Sequence, residues 1–190
     1  MQILWPVLLA VAEAAVASSR WRLVGRDAVS SWVVNGIGFF SDAACATRIQ
    51  ARPFRSLQGN SQRYDGSAFS APNYVRPTSL PADVFEEQSG SWETGVPCPS
   101  SGDTCQIGFH WLTDQVEAAT GGFATVGRLT VGSAEPRCIA LDQSTQANQH
   151  APTILVQYWS ASLRSWQDHT TFSSLSGGLS NLRLPEVPLR

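Results

Sequence analysis

Four cysteines, three histidines and one pair of adjacent carboxylates are the side chains whose types and spacing could do chemistry in this 190-residue chain. Cys98 and Cys105 bracket the polar run CPSSGDTC, and two sulfurs so placed can hold a metal, cycle between redox states or form a staple. Zinc needs a second close pair or well-spaced imidazoles, and the nearest histidine, His110, lies in the strand-like run that follows. A redox pair wants a helix N-terminus and a shorter spacer, whereas Pro97, Pro99, Ser100, Ser101 and Gly102 describe a turn. The staple is the expectation. Closing so short a loop stabilises by roughly 2.5 kcal/mol on the chain-entropy model. An even number of cysteines with no Cys-x-x-Cys fits a protein oxidised in the secretory pathway. By elimination Cys45 pairs with Cys138, tying an early strand to a late one, and the alternative is two free buried thiols there.

No G-x-S-x-G elbow, H-E-x-x-H helix, phosphate loop or dinucleotide fingerprint occurs. His110, between Phe109 and Trp111, reads as a packed or half-exposed strand residue, His150 stands apart, and His169 reads as a polar strand end. Glu86 and Glu87 are neighbours, so on a strand they face opposite ways and cannot flank one glycosidic bond. All 13 cations are arginine, which removes lysine Schiff-base chemistry and the phosphate-loop lysine together. No enzymatic activity, metal or cofactor is expected.

The chain is 43% hydrophobic and 15% charged, the composition of one ordinary compact domain. Its first 17 residues hold an apolar stretch and end in Ala15-Val16-Ala17, which reads as a signal peptide with the domain over 18–190. Glu13 and the missing basic start leave a fragment boundary or an uncleaved anchor as alternatives. Cleavage would remove Glu13 and leave 13 basic and 14 acidic residues, with no basic run longer than Arg20-Trp21-Arg22. Nucleic acid is therefore not expected as a partner. No Asn-x-Ser/Thr sequon is present, so a secreted form would carry no N-linked glycan.

Runs rich in β-branched and aromatic residues recur at 32–41, 106–112, 125–132, 137–142 and 153–160. In the last, Ile154, Val156 and Tyr158 face one way and Leu155, Gln157 and Trp159 the other, both sides largely apolar, as in a central strand. The stretch 58–81 reads as a long irregular loop, 114–119 as one short helix and 173–180 as a Ser/Gly-rich tail. Many short strands without alternating helices predict an all-β, two-sheet β-sandwich of jelly-roll type with long irregular loops. Of the aromatic residues, Trp32, Trp111 and Trp159 lie in strands and are expected to pack, while Tyr64, Tyr74 and Trp92 lie in loops.

The ordered pieces WVVNGIGFFSDAAC, VFEEQSGSWETG, CQIGFHW, VGRLTVGSAEPRCIALDQS and ILVQYWSASLRSWQD carry a family signal. Together they resemble the discoidin, or coagulation-factor C-type, domain of the galactose-binding-like jelly rolls, over roughly residues 21–175. Val84-Phe85 with Trp92, Ile107-Gly108-Phe109, and Val156-Gln157-Tyr158 with Trp166 stand at the family's motif positions, with Gln106 where a tryptophan is usual. The resemblance implies a non-enzymatic module that binds through loops at one end. Several members hold calcium in an acidic turn; Glu86-Glu87-Gln88 stands there, one residue short, and calcium is not expected.

The expected function is thus a secreted or lumenal carbohydrate-binding or cell-surface adhesion module, whose partner is a glycan or a surface or matrix component. Its candidate contacts are Tyr64, Asp65, Tyr74, Arg76 and Trp92, with Trp92 equally suited to plugging the sandwich end. One alternative is docking on a larger protein assembly through residues 68–81 and 182–190. Another is peripheral contact with anionic membranes through Phe54 beside Arg52 and Arg55.

Overall fold

The computed structural model describes residues 13–14, 16–51, 66–71, 80–85, 90–113 and 130–188. Among them the chain is all-β, two antiparallel sheets packed as a β-sandwich, with one short 3-10 turn at Pro81–Phe85. The strands are β1 (Glu13–Ala14), β2 (Arg20–Arg26), β3 (Val33–Phe40), β4 (Arg48–Ile49), β5 (Gly66–Ala71), β6 (Trp92–Glu93) and β7 (Gln106–Thr113). They continue as β8 (Thr130–Val131), β9 (Cys138–Gln143), β10 (Thr153–Ser160), β11 (Ser165–Phe172), β12 (Gly178–Arg183) and β13 (Val187–Pro188). One sheet runs β11-β10-β2-β7-β5, with β8 on the far end of β7, and the other runs β12-β9-β3-β4, with β6 on β3. β1 and β13 pair separately.

Period-two alternation aims one side of each sheet at the other. Trp21, Leu23, Ile107, Phe109, Ile154 and Val156 meet Ile37, Phe39, Ile139, Leu141 and Leu182 in a single core. Three of the buried indoles are held by bonds as well as by packing. Trp32 donates to Gln143 Oε1 at 2.7 Å, Trp111 to the Gln50 carbonyl at 2.9 Å and Trp21 to the Ala134 carbonyl at 3.3 Å. Gln143 is itself fully buried, and its Oε1 also accepts from the Ala151 N–H at 3.0 Å, so this polar core residue is satisfied. Gly25 lets Trp32 lie against β2, since a Cβ there would stand 2.5 Å from the indole.

Both disulfides form, Cys98–Cys105 with Cα atoms 5.7 Å apart and Cys45–Cys138 with 5.4 Å, and no cysteine is free. Cys45 reaches Cys138 from a tight loop in left-handed backbone, φ 57°. Asp42 shapes that loop by accepting the N–H groups of Ala44, Ala46 and Thr47, and these bonds, Thr47's first, hold its carboxyl below the usual range. Two such bridges fit an oxidising compartment. Among the described residues no helix is long and apolar enough to cross a membrane.

Several expected boundaries shift. The strand expected at 153–160 has those bounds and is central, paired with β11 and β2 on its two sides. The expected loop 58–81 contains β5, because alternating small residues suffice where β7 offers a complete ladder. The Ser/Gly-rich tail turns into β12 at Gly178, and Leu182 and Leu184 are core. Of the strand expected at 125–132 only β8 is described, and the helix expected at 114–119 lies outside the described residues.

Replacing Cys45 and Cys138 together by serine should lower unfolding stability by about 4 to 5 kcal/mol, and replacing Cys98 and Cys105 by about 2.5 kcal/mol, on the loop-entropy model. Urea midpoints of the two double variants, read against the parent under non-reducing conditions, check the order and the sizes.

Candidate functional site

The side of the six-stranded sheet turned away from the core is where chemistry-bearing side chains converge. Register places Asp168, Gln157, Arg22, Gly108 and Phe69 in one row across β11, β10, β2, β7 and β5. Two residues further along the strands, Trp166 pairs with Trp159, and Arg20 faces His110, which faces Ser67. These rows lie about 7 Å apart, twice the rise per strand residue.

Arg22 is the centre of the first row and is only 6% exposed although it points outward. Its Nε donates to Gln157 Oε1 at 2.6 Å, its Nη1 to Gln106 Oε1 and its Nη2 to Asp103 Oδ2 at 2.9 Å. Gln157 then donates to Asp168 Oδ1 at 2.6 Å, fixing both ends of its amide. Burial pushes the Arg22 guanidinium down from its ordinary value, and Asp103, by charge and by hydrogen bond, with Asp168 by charge, pulls it back up. A desolvated charge with every neighbour so arranged is rigid.

What covers Arg22 is aromatic. Its guanidinium carbon lies 4.3 Å from the centre of the Trp166 ring, a cation–π contact. Trp166 meets Phe69 with centroids 5.8 Å apart and Trp159 edge-on at 5.7 Å. β11 and β5 are the two edges of the main path, with three strands between them. Their rings meet because each leans inward over its neighbour. Gly108 makes that lean available on one side, since a Cβ there would stand 2.5 Å from the Phe69 ring and 2.4 Å from the Trp21 carbonyl oxygen. The three rings remain partly exposed.

Arg20 lies over the Trp159 ring at 5.2 Å, and its Nε is buried without a hydrogen-bond partner. His110 opposite is half-buried, and burial first, then the Arg20 charge, push its pKa down. His169 is not at a strand end. It is the extra residue of a bulge, since Val156 pairs with Thr170 and Gln157 with Asp168. The bulge sets it edge-on to Trp21 at 5.4 Å and near Tyr158 at 6.1 Å, where burial lowers its pKa.

Of the residues expected to contact a ligand, Tyr64, Asp65, Tyr74 and Arg76 lie outside the described residues, as do Glu86-Glu87-Gln88 and Phe54 with its two arginines. Of the two roles expected for Trp92 it takes the packed one: it is 0% exposed, edge-on to Trp32 at 5.6 Å in the core, and offers no face to a ligand. Trp159 is corrected, for it stands on the outer face rather than in the core. Arg20 and Arg22 had drawn notice only as a short basic run. The alternation of RWRLVGR held the signal that both point to one side.

No family model, no curated protein and no solved structure matches this chain.

Gly108→Ala should cost about 3 kcal/mol, because the added methyl meets a backbone carbonyl that cannot yield and the Phe69 ring, which must lift from the sheet; the urea midpoint checks it. A pH effect follows from the histidines. Both have folded pKa values below the unfolded one near 6.5, so they contribute stability that is present above that pH and is lost as pH falls through the folded values. The His110→Gln/His169→Gln double variant should therefore lose less stability than the parent between pH 7.5 and 5. Equal losses in the two proteins would show that the histidines do not carry it.

Proposed function

We propose that this is a secreted, non-enzymatic, lectin-like domain of discoidin-like jelly-roll type, which binds a saccharide on the outer face of the six-stranded sheet. The observation that carries the reading is the Trp166–Phe69–Trp159 platform supported from below by buried Arg22, which is hydrogen-bonded through each of its three guanidinium nitrogens. The apolar face of a pyranose stacks on such rings, and rings already fixed lose little freedom when it does. Polar groups needed for orientation stand beside them: Asp168 at one edge, Arg20 and His110 at the next row. The two disulfides support an extracellular or lumenal setting. The platform replaces the loop contacts read from the sequence as the centre of the site.

A second reading is docking on a protein partner. It is favoured by Val29 and Val96, 72% and 46% exposed, which lie near one another at one end of the sandwich, where the Cys98 N–H bonds the Ala28 carbonyl.

A glycan array followed by titration of intrinsic tryptophan fluorescence separates the two. Saturable sugar binding is expected, weakened at least about tenfold by Trp166→Ala, with circular dichroism showing that the variant folds. A folded Trp166→Ala that binds as the parent does, or a protein that binds no glycan, sinks the carbohydrate reading.

A further inference from the structure

We infer that the saccharide bound on this face is acidic, a uronic-acid residue whose carboxylate sits on Arg20. The inference rests on the carbohydrate reading above and deepens it. The two arginines of the outer face differ in how their charge is answered. Arg22 has Asp103 at 2.9 Å and Asp168 nearby, and it is sealed beneath Trp166. Arg20 has no carboxylate partner among the described residues; its guanidinium lies over the Trp159 ring and beside His110, and its Nε is buried and donates to nothing.

Arg20 is partly exposed, and with Nε closed off a ligand meets its guanidinium through the two Nη groups, which no described residue bonds. A carboxylate is the group that suits them, since its two oxygens match the guanidinium fork. The spacing also fits. Arg20 lies 5.2 Å from the Trp159 ring centre, and Trp159 lies 5.7 Å from Trp166, so an oligosaccharide with one ring on Trp166 can bring the carboxylate of a neighbouring uronic-acid ring to Arg20. His110, opposite Arg20 on β7, adds a ring N–H to the same oxygens. At the other end of the ring Asp168, already bonded through one oxygen to Gln157, accepts from hydroxyls and repels a reversed acid, which fixes orientation.

The test is calorimetric titration with a panel of oligogalacturonate, oligoglucuronate and alginate oligosaccharides, each beside its methyl ester, which keeps the sugar and removes the charge. At least one acid form should bind about tenfold or more tighter than its ester, and that margin should shrink on raising salt from 50 to 300 mM, as expected for a partly exposed ion pair. Arg20→Gln should abolish the margin, so that acid and ester bind alike, with circular dichroism showing that the variant folds; Arg20→Lys, which keeps the charge, should retain part of it. Acid and ester bound equally by the parent overturns the inference and leaves the carbohydrate reading standing. So does a panel that fails in both forms while neutral glycans bind on the array. Failure of every glycan overturns both.

Discussion

A guanidinium taken out of water on the outside of a sheet is the constraint around which the six-stranded layer is arranged. Arg22 could have stayed solvated, as outward-facing strand residues usually do, and burying it costs several kcal/mol unless its donors are answered. They are answered from β10 by Gln157, from β7 by Gln106, and from the stapled loop by Asp103. Strands far apart in sequence are thereby locked to one side chain. Asp103 is 59% exposed, so its own bond is the weakest of the set on physical grounds, and the glutamines matter more for holding Arg22 in place.

The same charge organises the aromatic residues. Trp166 and Phe69 close over it from opposite edges, the first held by the cation below and the second seated on the bare backbone of Gly108. Gln106 joins the same cluster, its amide oxygen accepting from Arg22, while the indole that covers the guanidinium comes from β11. The platform is rigid because its support is ionic and bonded rather than merely packed.

The Cys98–Cys105 disulfide supports this cluster from outside the sheet. It shapes the loop that carries Asp103, and the loop is pinned to β2 by the Gly25 N–H on the Cys105 carbonyl and the Asp27 N–H on the Pro99 carbonyl. A covalent staple near the end of β2 therefore stabilises the acid that answers the arginine in the middle of it.

By itself the sequence determined the all-β class, the central strand at 153–160, both disulfides and the absence of lysine chemistry, because alternation, cysteine count and composition are local or global properties that need no partner. It also carried the alternation of β2, though three arginine and tryptophan letters read more readily as a basic run than as two faces of a strand. Only the tertiary structure decided which tryptophans are core and which are surface. Trp92 is buried and Trp159 partly exposed because burial depends on what lies across the sheet, not on whether the sequence reads as loop or strand. Arg22 met Gln106 and Gln157 across separations of 84 and 135 residues, and Phe69 met Trp166 from the opposite edge of the sheet. No spacing rule spans such distances; strand order and register bring these residues together, and both are set by the fold as a whole.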